Sequence, residues 1–235
     1  GILRLKYPLL PDVGAQDAVM WVLALLGVIN VIYGAFCALA QTDFKRLVAY
    51  SSVSHMGFVL LGIAVLNEEG VNGAIYQMFA HGISSAMMFT LVGVLYERAH
   101  HREIARFGGI GARMPDYFGL AIVGFFASLG LPMLAGFIGE ALVFLGAFQY
   151  HMILTAVTTI GMLLTAGYLL WTMQRVYLGA PRDEHAGYPD CDRWELVSLV
   201  PMAAAALVFG VFPWLAMKIY LPSTSVFLSY FENLI

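Results

Sequence analysis

The sequence predicts an all-α, polytopic transmembrane helix bundle, and three observations support this prediction. Hydrophobic residues make up 60% of the 235 residues, charged residues make up only 11%, and the mean hydropathy is +0.80. A soluble domain carries about 25% charged residues. The charges are also clustered, so long stretches of the chain contain none. Because a bilayer core needs about 20 apolar residues per helix, these stretches are long enough to span it.

The composition and cysteine pattern exclude several other classes of protein. A formal net charge of −3 argues against a surface that binds polyanions, and the high apolar content argues against intrinsic disorder. Cys37 and Cys191 are far apart and belong to no CxxC pattern or Cys/His cluster, so we expect neither a metal site nor a disulfide framework. No phosphate-binding glycine loop is present, and we expect no cofactor in this chain. The sequence starts at Gly1 without an initiator Met, which favours a fragment of a longer chain.

Five stretches are each the right length for one membrane-spanning helix. Backbone polar groups in hydrocarbon must be satisfied within their own segment, so these stretches are predicted to be helical. The second contains His55 and the third contains His81. In chain order, the predicted spans cover residues 18–42, 47–67, 70–96, 152–174 and 196–217.

The stretch from residue 117 to residue 150 has Glu140 as its only charge and is too long for one span. A continuous helix would run roughly 50 Å, more than the roughly 40–45 Å of a whole bilayer. Near its centre, Pro132 removes a helical N–H donor, and glycines on both sides weaken the helix. We predict a helix that is broken near residues 131–136 and restarts just before Glu140. Two short helices joined by a re-entrant turn are the alternative.

The basic residues alternate between the two ends of the predicted bundle. Nine fall in the loops of one end and three, Arg4, Lys6 and Lys218, fall at the other. The positive-inside rule places the nine-charge end in the cytoplasm and both chain termini on the opposite side. The same rule assigns the remaining segments. Residues 1–17 are predicted to be the end of a preceding helix and an outer loop, and residues 175–195 are predicted to be a cytoplasmic loop. Residues 218–235 are predicted to be an interfacial tail.

Glu140 is the sharpest functional signal in the sequence. A carboxylate inside a span costs about 2.5–3.5 kcal/mol on insertion scales, and intramembrane acids usually mark ion or proton pathways. A group that switches between neutral and ionised forms there could take up and release a proton. The structural alternative is a Glu that only caps the restarted half-helix, where the helix dipole favours negative charge.

His55 and His81 are the other two candidate proton carriers. An imidazole can accept a proton on one nitrogen while it donates from the other, which suits a relay. Ser52 and Ser84 each lie three positions from one of these histidines, on the same helical face, and could hold water. The alternative is hydrogen bonding between helices, for which Ser and His are commonly used. Two mid-membrane histidines together with Glu140 favour a pathway.

Several motifs in order resemble the antiporter-like membrane subunits of respiratory complex I, NADH:quinone oxidoreductase. The most distinctive is AQTDFKRLVAYSSVSHMGF at residues 40–58. It is followed by GAIYQMFAHG at 73–82, LYER at 95–98, Gly108-Gly109, Met114-Pro115 and GFIGE at 136–140. The acid at position 140 makes the chain similar to the M-type subunit, called chain 4 in mitochondria, because the L and N types are expected to carry Lys there.

This resemblance implies an antiporter-like fold of fourteen helices with two inverted five-helix repeats. Residues 18–174 would then be the second repeat, with its broken helix at 117–150, and residues 196–217 would be one further helix. It also implies a proton-translocating subunit without its own redox centre, in which Glu140, His81 and His55 form the relay. Flavin, iron–sulfur clusters and quinone are expected in partner subunits. The expected partners include the L- and N-type subunits, in a bacterial cytoplasmic membrane in preference to a mitochondrial inner membrane.

Two other functions are compatible with the same residues. The D-type subunit of a multisubunit Na⁺/H⁺ antiporter, or its relative in membrane-bound hydrogenases, would share these helices and acids. In a passive membrane scaffold, by contrast, the histidines and Glu140 would only hold helices together.

Overall fold

The structure, a computed structural model, describes residue 2 and residues 13–232. Regular structure in this part of the chain is helical, apart from one isolated antiparallel bridge between Asp43 and Glu103. The α-helices described are α1 Val13–Leu39, α2 Phe44–Ala64, α3 Glu68–Ala99, α4 Ile110–Arg113, α5 Pro115–Leu129, α6 Ala135–Tyr150, α7 Met152–Tyr177, α8 Arg193–Val211 and α9 Trp214–Glu232.

Five of these helices, α1, α2, α3, α7 and α8, are long and apolar enough to cross a membrane. The apolar helices α5 and α6 have only 15 and 16 residues, too few to cross a core of roughly 30 Å singly. The predicted all-α class is therefore confirmed. α1 begins at Val13, so the end of the outer loop predicted at 1–17 is helical, while residues 1 and 3–12 lie outside the described residues.

Side-chain caps fix where two of the long helices begin. The Asp43 carboxylate accepts from the backbone N–H of Arg46 at the start of α2, and the Asn67 side chain accepts from Gly70 N–H at the start of α3. Such caps satisfy backbone donors that have no partner inside the helix. Asn67 also donates to the carbonyl of Gly146 in α6 at 2.8 Å, which ties the start of α3 to the end of α6.

The three strongly basic segments meet at one end of the bundle. Arg102 pairs with Asp43 at 3.2 Å between its Nε and the carboxylate, and Arg98 pairs with Glu195 at 2.7 Å. Arg98 also donates to the carbonyls of Pro189 and Asp190, so these contacts join α3 to the loops that follow α1, α3 and α7. At the opposite end Trp21 packs edge-on against His151. The charge alternation in the sequence thus corresponds to the two ends of the folded bundle, which we call the basic end and the opposite end.

The junction between α5 and α6 is a true break in one span. α5 starts at the basic end, where Asp190 accepts from the N–H of Asp116, and α6 finishes at the opposite end, where Gly146 meets Asn67. The chain therefore continues in one direction, which excludes the re-entrant alternative. The break covers residues 130–134, beginning one residue earlier than predicted, because Gly130 ends α5 in the left-handed conformation with φ 71°.

A second helix break, between α8 and α9, packs against the first. Pro213 has no N–H, so the Phe209 carbonyl has no helical donor, and the Tyr76 hydroxyl donates to it instead. Gly210 lies against the break in α5–α6: a Cβ there would be 2.2 Å from the carbonyl oxygen of Met133. The sequence predicts that a final span ends at residue 217 and that an interfacial tail begins at residue 218. This boundary needs correction, because it falls inside α9.

Two buried apolar clusters flank the middle of the bundle. The cluster toward the basic end includes Val48, Met87 and Phe125, and the other includes Phe58 and Val143. α2 passes through both, since Val48 belongs to the first cluster and Phe58 to the second. His55 lies between these two positions on α2, so the bundle encloses it where the apolar clusters meet.

Candidate functional site

Glu140 is buried at the break between α5 and α6. It is the sixth residue of α6 and only 4% exposed. Helical side chains lean toward the N-terminus of their helix, so its carboxylate reaches back to the break. A Cβ built on Gly130 would lie 2.5 Å from Oε2 of Glu140. Position 130 therefore requires glycine for space as well as for its positive φ.

The idea that Glu140 only caps the restarted half-helix is not supported. α6 begins at Ala135, with Leu134 at the N-cap position, and its first turn contains no acidic residue and no side-chain cap bond. Dipole stabilisation fades beyond the first turn of a helix. The carboxylate is held by side chains of other helices instead.

Two side chains from two different helices meet one oxygen of this carboxylate. The Gln77 side chain in α3 donates from Nε2 to Glu140 Oε1 at 3.3 Å. Nδ1 of His55 in α2 lies 3.3 Å from the same Oε1. Gln77 and His55 are each only 2% exposed. The site thus brings together an acid, a base and an amide away from solvent.

The two predicted histidines lie side by side. The rings of His55 and His81 have centroids 5.2 Å apart and are tilted by 39°. Among the described residues, neither ring nitrogen of His55 has a partner in hydrogen-bond geometry, although its Nδ1 is within ion-pair distance of Glu140. The distance permits an ion pair when His55 is protonated, but the ring is not locked to a single acceptor. His55 therefore occupies the middle of a series that runs from Glu140 to His81.

A small cavity adjoins the histidine pair on the side of the basic end. Its volume is about 10 Å³, room for about one water molecule. Four serines lie along its wall. The lining residues are Val48, Ser51, Ser52, His55, His81, Ser85, Met88, Ser128 and Leu169.

Only one of the two serines predicted to share a face with a histidine lines this cavity. Ser52 does so, with its hydroxyl donating to the carbonyl of Val48. The hydroxyl of Ser84 instead donates to the backbone carbonyl of His81 at 3.4 Å. On α3 the serine that lines the cavity is Ser85, next to the predicted Ser84, so the helical spacing identified the cavity-lining serine only on α2.

Comparison with known proteins places the chain in a family. A family model for transmembrane proteins of the NADH:quinone oxidoreductase/Mrp antiporter group matches residues 1–165. The chain belongs to this family. NADH-quinone oxidoreductase subunit M of Rhodobacter capsulatus is 40% identical over 226 residues, a match that covers 96% of this chain and 44% of that protein. The predicted resemblance to the M-type subunit is thereby confirmed.

Solved structures of the NADH:quinone oxidoreductase/Mrp antiporter family share the fold. A chain of respiratory complex I from Thermus thermophilus with bound NADH superposes with a TM-score of 0.91 at 32% identity, covering 97% of this chain and 48% of that chain. A chain of the Mrp complex from Dietzia sp. DQ12-45-1b gives a TM-score of 0.78 at 18% identity, covering 89% and 49%, which shows the fold alone. The antiporter-like fold is confirmed, and this chain spans less than half the length of the relatives it matches.

The structure adds site residues that sequence reasoning missed. Gln77 precedes His81 by one helical turn, and this i, i+4 spacing of two polar residues inside a span could have revealed it. Tyr168 in α7 donates its hydroxyl to Ser51 Oγ at 2.7 Å, beside the cavity. Ser128 in α5 lines the same cavity. No periodicity within α2 or α3 predicts these last two contacts, because they depend on which helices are neighbours.

Proposed function

We propose that this chain is the proton-carrying half of an M-type, proton-translocating subunit of NADH:quinone oxidoreductase. The observation that carries the proposal is the buried series of titratable groups. The carboxylate of Glu140 lies 3.3 Å from the His55 ring, which in turn lies 5.2 Å from the His81 ring between centroids. Buried groups in this arrangement are typical of proton relays in membrane proteins.

The relay works through two alternative states of the His55–Glu140 pair. When His55 carries a proton, it forms an ion pair with the carboxylate, and when the proton moves to Oε1, both groups are neutral. Burial disfavours charge on both groups, while the attraction within the ion pair favours it, and we propose that a nearby charge selects between the two states. Gln77 donates to the same oxygen and so holds the carboxylate beside the His55 ring.

The energy required is modest. Moving one proton against 100 mV takes about 2.3 kcal/mol. One pKa unit corresponds to 1.36 kcal/mol, so a shift of under about two units in a relay group is sufficient. A rearrangement of charges in neighbouring subunits, driven by electron transfer there, supplies changes of this size.

The proposed subunit carries no redox centre of its own. NADH oxidation and quinone reduction, with flavin and iron–sulfur clusters, take place in partner subunits. The L- and N-type subunits are its proposed neighbours in the membrane arm. The membrane is proposed to be the bacterial cytoplasmic membrane, with the basic end toward the cytoplasm.

The experiment is Glu140→Gln in the full-length subunit within the intact complex, with Glu97→Gln as the matched control. Glu97 is an exposed carboxylate near the basic end of α3. We expect NADH-driven proton uptake by membrane vesicles to fall in the first variant only, with the complex still assembled. Unchanged uptake in both variants would favour a scaffold, and Na⁺-dependent proton exchange without NADH would favour the D-type antiporter subunit.

A further inference from the structure

A broad cavity, open to its surroundings, lies at the basic end of the bundle beside α7. Its volume is about 580 Å³, within the size range of small-molecule sites. Its described lining contains two arginines and no carboxylate. The lining residues are Phe107, Gly108, Trp171, Gln174, Arg175, Leu178, Gly179, Ala180 and Arg182.

Arg175 supplies an uncompensated positive charge to this cavity. It lies in the last turn of α7, with its guanidinium carbon 4.6 Å from the centroid of the Trp171 ring. Within the described part of the chain, no carboxylate lies within ion-pair distance of it, whereas Arg98 and Arg102 pair with Glu195 and Asp43. Stacking on the indole holds the guanidinium in place and leaves its N–H donors available.

Arg182 supplies the second charge. Its two terminal nitrogens donate to the backbone carbonyls of Arg106 and Ala105 at 3.1 and 2.9 Å. Carbonyl oxygens fix the guanidinium in place but do not neutralise it. A Cβ on Gly108 would lie 3.3 Å from the Arg182 Nε, so the Arg182 side chain packs directly against this glycine. An anion in the cavity would therefore meet two positioned guanidinium groups.

The surface of α7 below the cavity has the shape and polarity for an acyl chain. Leu163, Gly167, Trp171 and Arg175 follow one another at a spacing of four residues, and so lie along one helical stripe. Leu163 and Trp171 are 69% and 44% exposed. Nothing lies within 4 Å of the position that a Cβ would take on Gly167. The stripe therefore runs from an apolar side chain through a gap to an aromatic ring and a cation.

We propose that this cavity and stripe form a binding site for one anionic phospholipid. The phosphate occupies the cavity beside Arg175 and Arg182, and one acyl chain lies in the gap at Gly167. Charge complementarity selects the anionic headgroup, because a zwitterionic lipid brings its own cation to a site that already has two. The depth of the site in the membrane also agrees with a phosphate group there, because an Arg at the end of an apolar helix, next to a Trp, is typical of the level of the lipid headgroups.

The test uses the full-length subunit in detergent, titrated with phosphatidylglycerol or phosphatidylcholine and followed by native mass spectrometry. We expect Arg175→Gln to weaken the tightest phosphatidylglycerol binding roughly fivefold, the factor for one basic residue near an anionic lipid. Arg175→Lys should retain most of the affinity. The control Arg193→Gln removes an exposed arginine from the same end outside the cavity, and should change affinity less than twofold.

Gly167→Leu tests the acyl-chain part of the site separately. It fills the gap without changing charge, and should weaken binding of phosphatidylglycerol while thermal stability is unchanged. Three results would overturn the proposal. They are equal effects of the Arg175 and Arg193 variants, displacement of the lipid by millimolar inorganic phosphate, and loss of the bound lipid when the subunit is assembled in the complex.

Discussion

Nδ1 of His55 lies 3.3 Å from Oε1 of Glu140, and both side chains are shielded from solvent. The two residues come from different helices, α2 and α6. Their contact exists because α6 restarts at Ala135, which directs Glu140 back toward the break and the histidine pair. The proposed function depends on this contact.

The first prediction is that the effects of His55 and Glu140 substitutions are not additive. Each of His55→Gln and Glu140→Gln should lower NADH-driven proton uptake by about 100-fold or more, the scale of proton transfer by a positioned side chain. Proton uptake by the double variant should be no slower than uptake by the slower single variant, because both changes interrupt the same relay. If the loss of uptake in the double variant equals the product of the two single losses, the residues instead belong to two independent proton routes. Glu140→Gln combined with Glu97→Gln is the control pair.

The second prediction concerns Gln77. Its amide donates to Glu140 Oε1 and so holds the carboxylate in place beside His55. Gln77→Leu keeps a side chain of similar size but removes this donor, and should reduce proton uptake about tenfold, the scale of a hydrogen bond to a charged group. Uptake and NADH oxidation are measured in the same vesicles. Normal uptake in this variant would show that the amide has only a packing role.

The third prediction compares two glycines of the α5 region. Gly130→Ala places a Cβ against Glu140 Oε2 at a residue with φ 71°, and should cost at least about 1–2 kcal/mol of stability. Gly119 lies inside α5 with nothing within 4 Å of its Cβ position, so Gly119→Ala should leave stability unchanged or raise it by up to about 1 kcal/mol. Thermal unfolding of the purified complex is the measurement. Equal melting temperatures would contradict this account of the break.

The fourth prediction is slow alkylation of Cys191. Burial raises the pKa of this thiol to about 11, and the neighbouring Glu195 and Asp190 act in the same direction. Only the thiolate reacts, so at pH 8 Cys191 should react roughly 200-fold more slowly than an ordinary thiol with a pKa of about 8.5. The rate should keep rising with pH up to about 11. Peptide-level mass spectrometry after maleimide treatment measures this.

The control for the thiol measurement is Gly187→Cys, an exposed position in the same loop with open space around it. It is made in a Cys191→Ser background. Its rate should level off near pH 9. If Cys191 reacts as fast as this control at pH 8, the partly buried environment assigned to its thiol is wrong.

The spans and the central acid could be predicted because both depend on local sequence. Stretches without charge identify membrane helices whatever their neighbours are, and Glu140 is conspicuous as the one charge between residues 117 and 150. The predicted position of the helix break was less accurate. Pro132 suggested its centre, but the left-handed Gly130 determines where α5 ends, since it is the residue that leaves the helical conformation.

Contacts between helices could not be predicted in the same way. The Tyr168 hydroxyl reaches Ser51 across 117 residues of sequence, and Gln77 reaches Glu140 across 63. Contacts between residues so far apart in the sequence leave no periodic pattern within either helix. The end of the last span was also misplaced, because Tyr76 from α3 donates to the carbonyl that Pro213 leaves free and so stabilises a break there.

The most direct test of the central claim is to observe the proton on Glu140 during turnover. Infrared difference spectra of the intact complex, recorded before and during NADH oxidation, detect the carbonyl stretch of a carboxylic acid as it gains or loses a proton. We predict a carboxyl difference band in the wild type and in Glu97→Gln that is absent in Glu140→Gln. Identical carboxyl bands in all three would show that Glu140 keeps one protonation state during turnover, and would contradict the proposed relay.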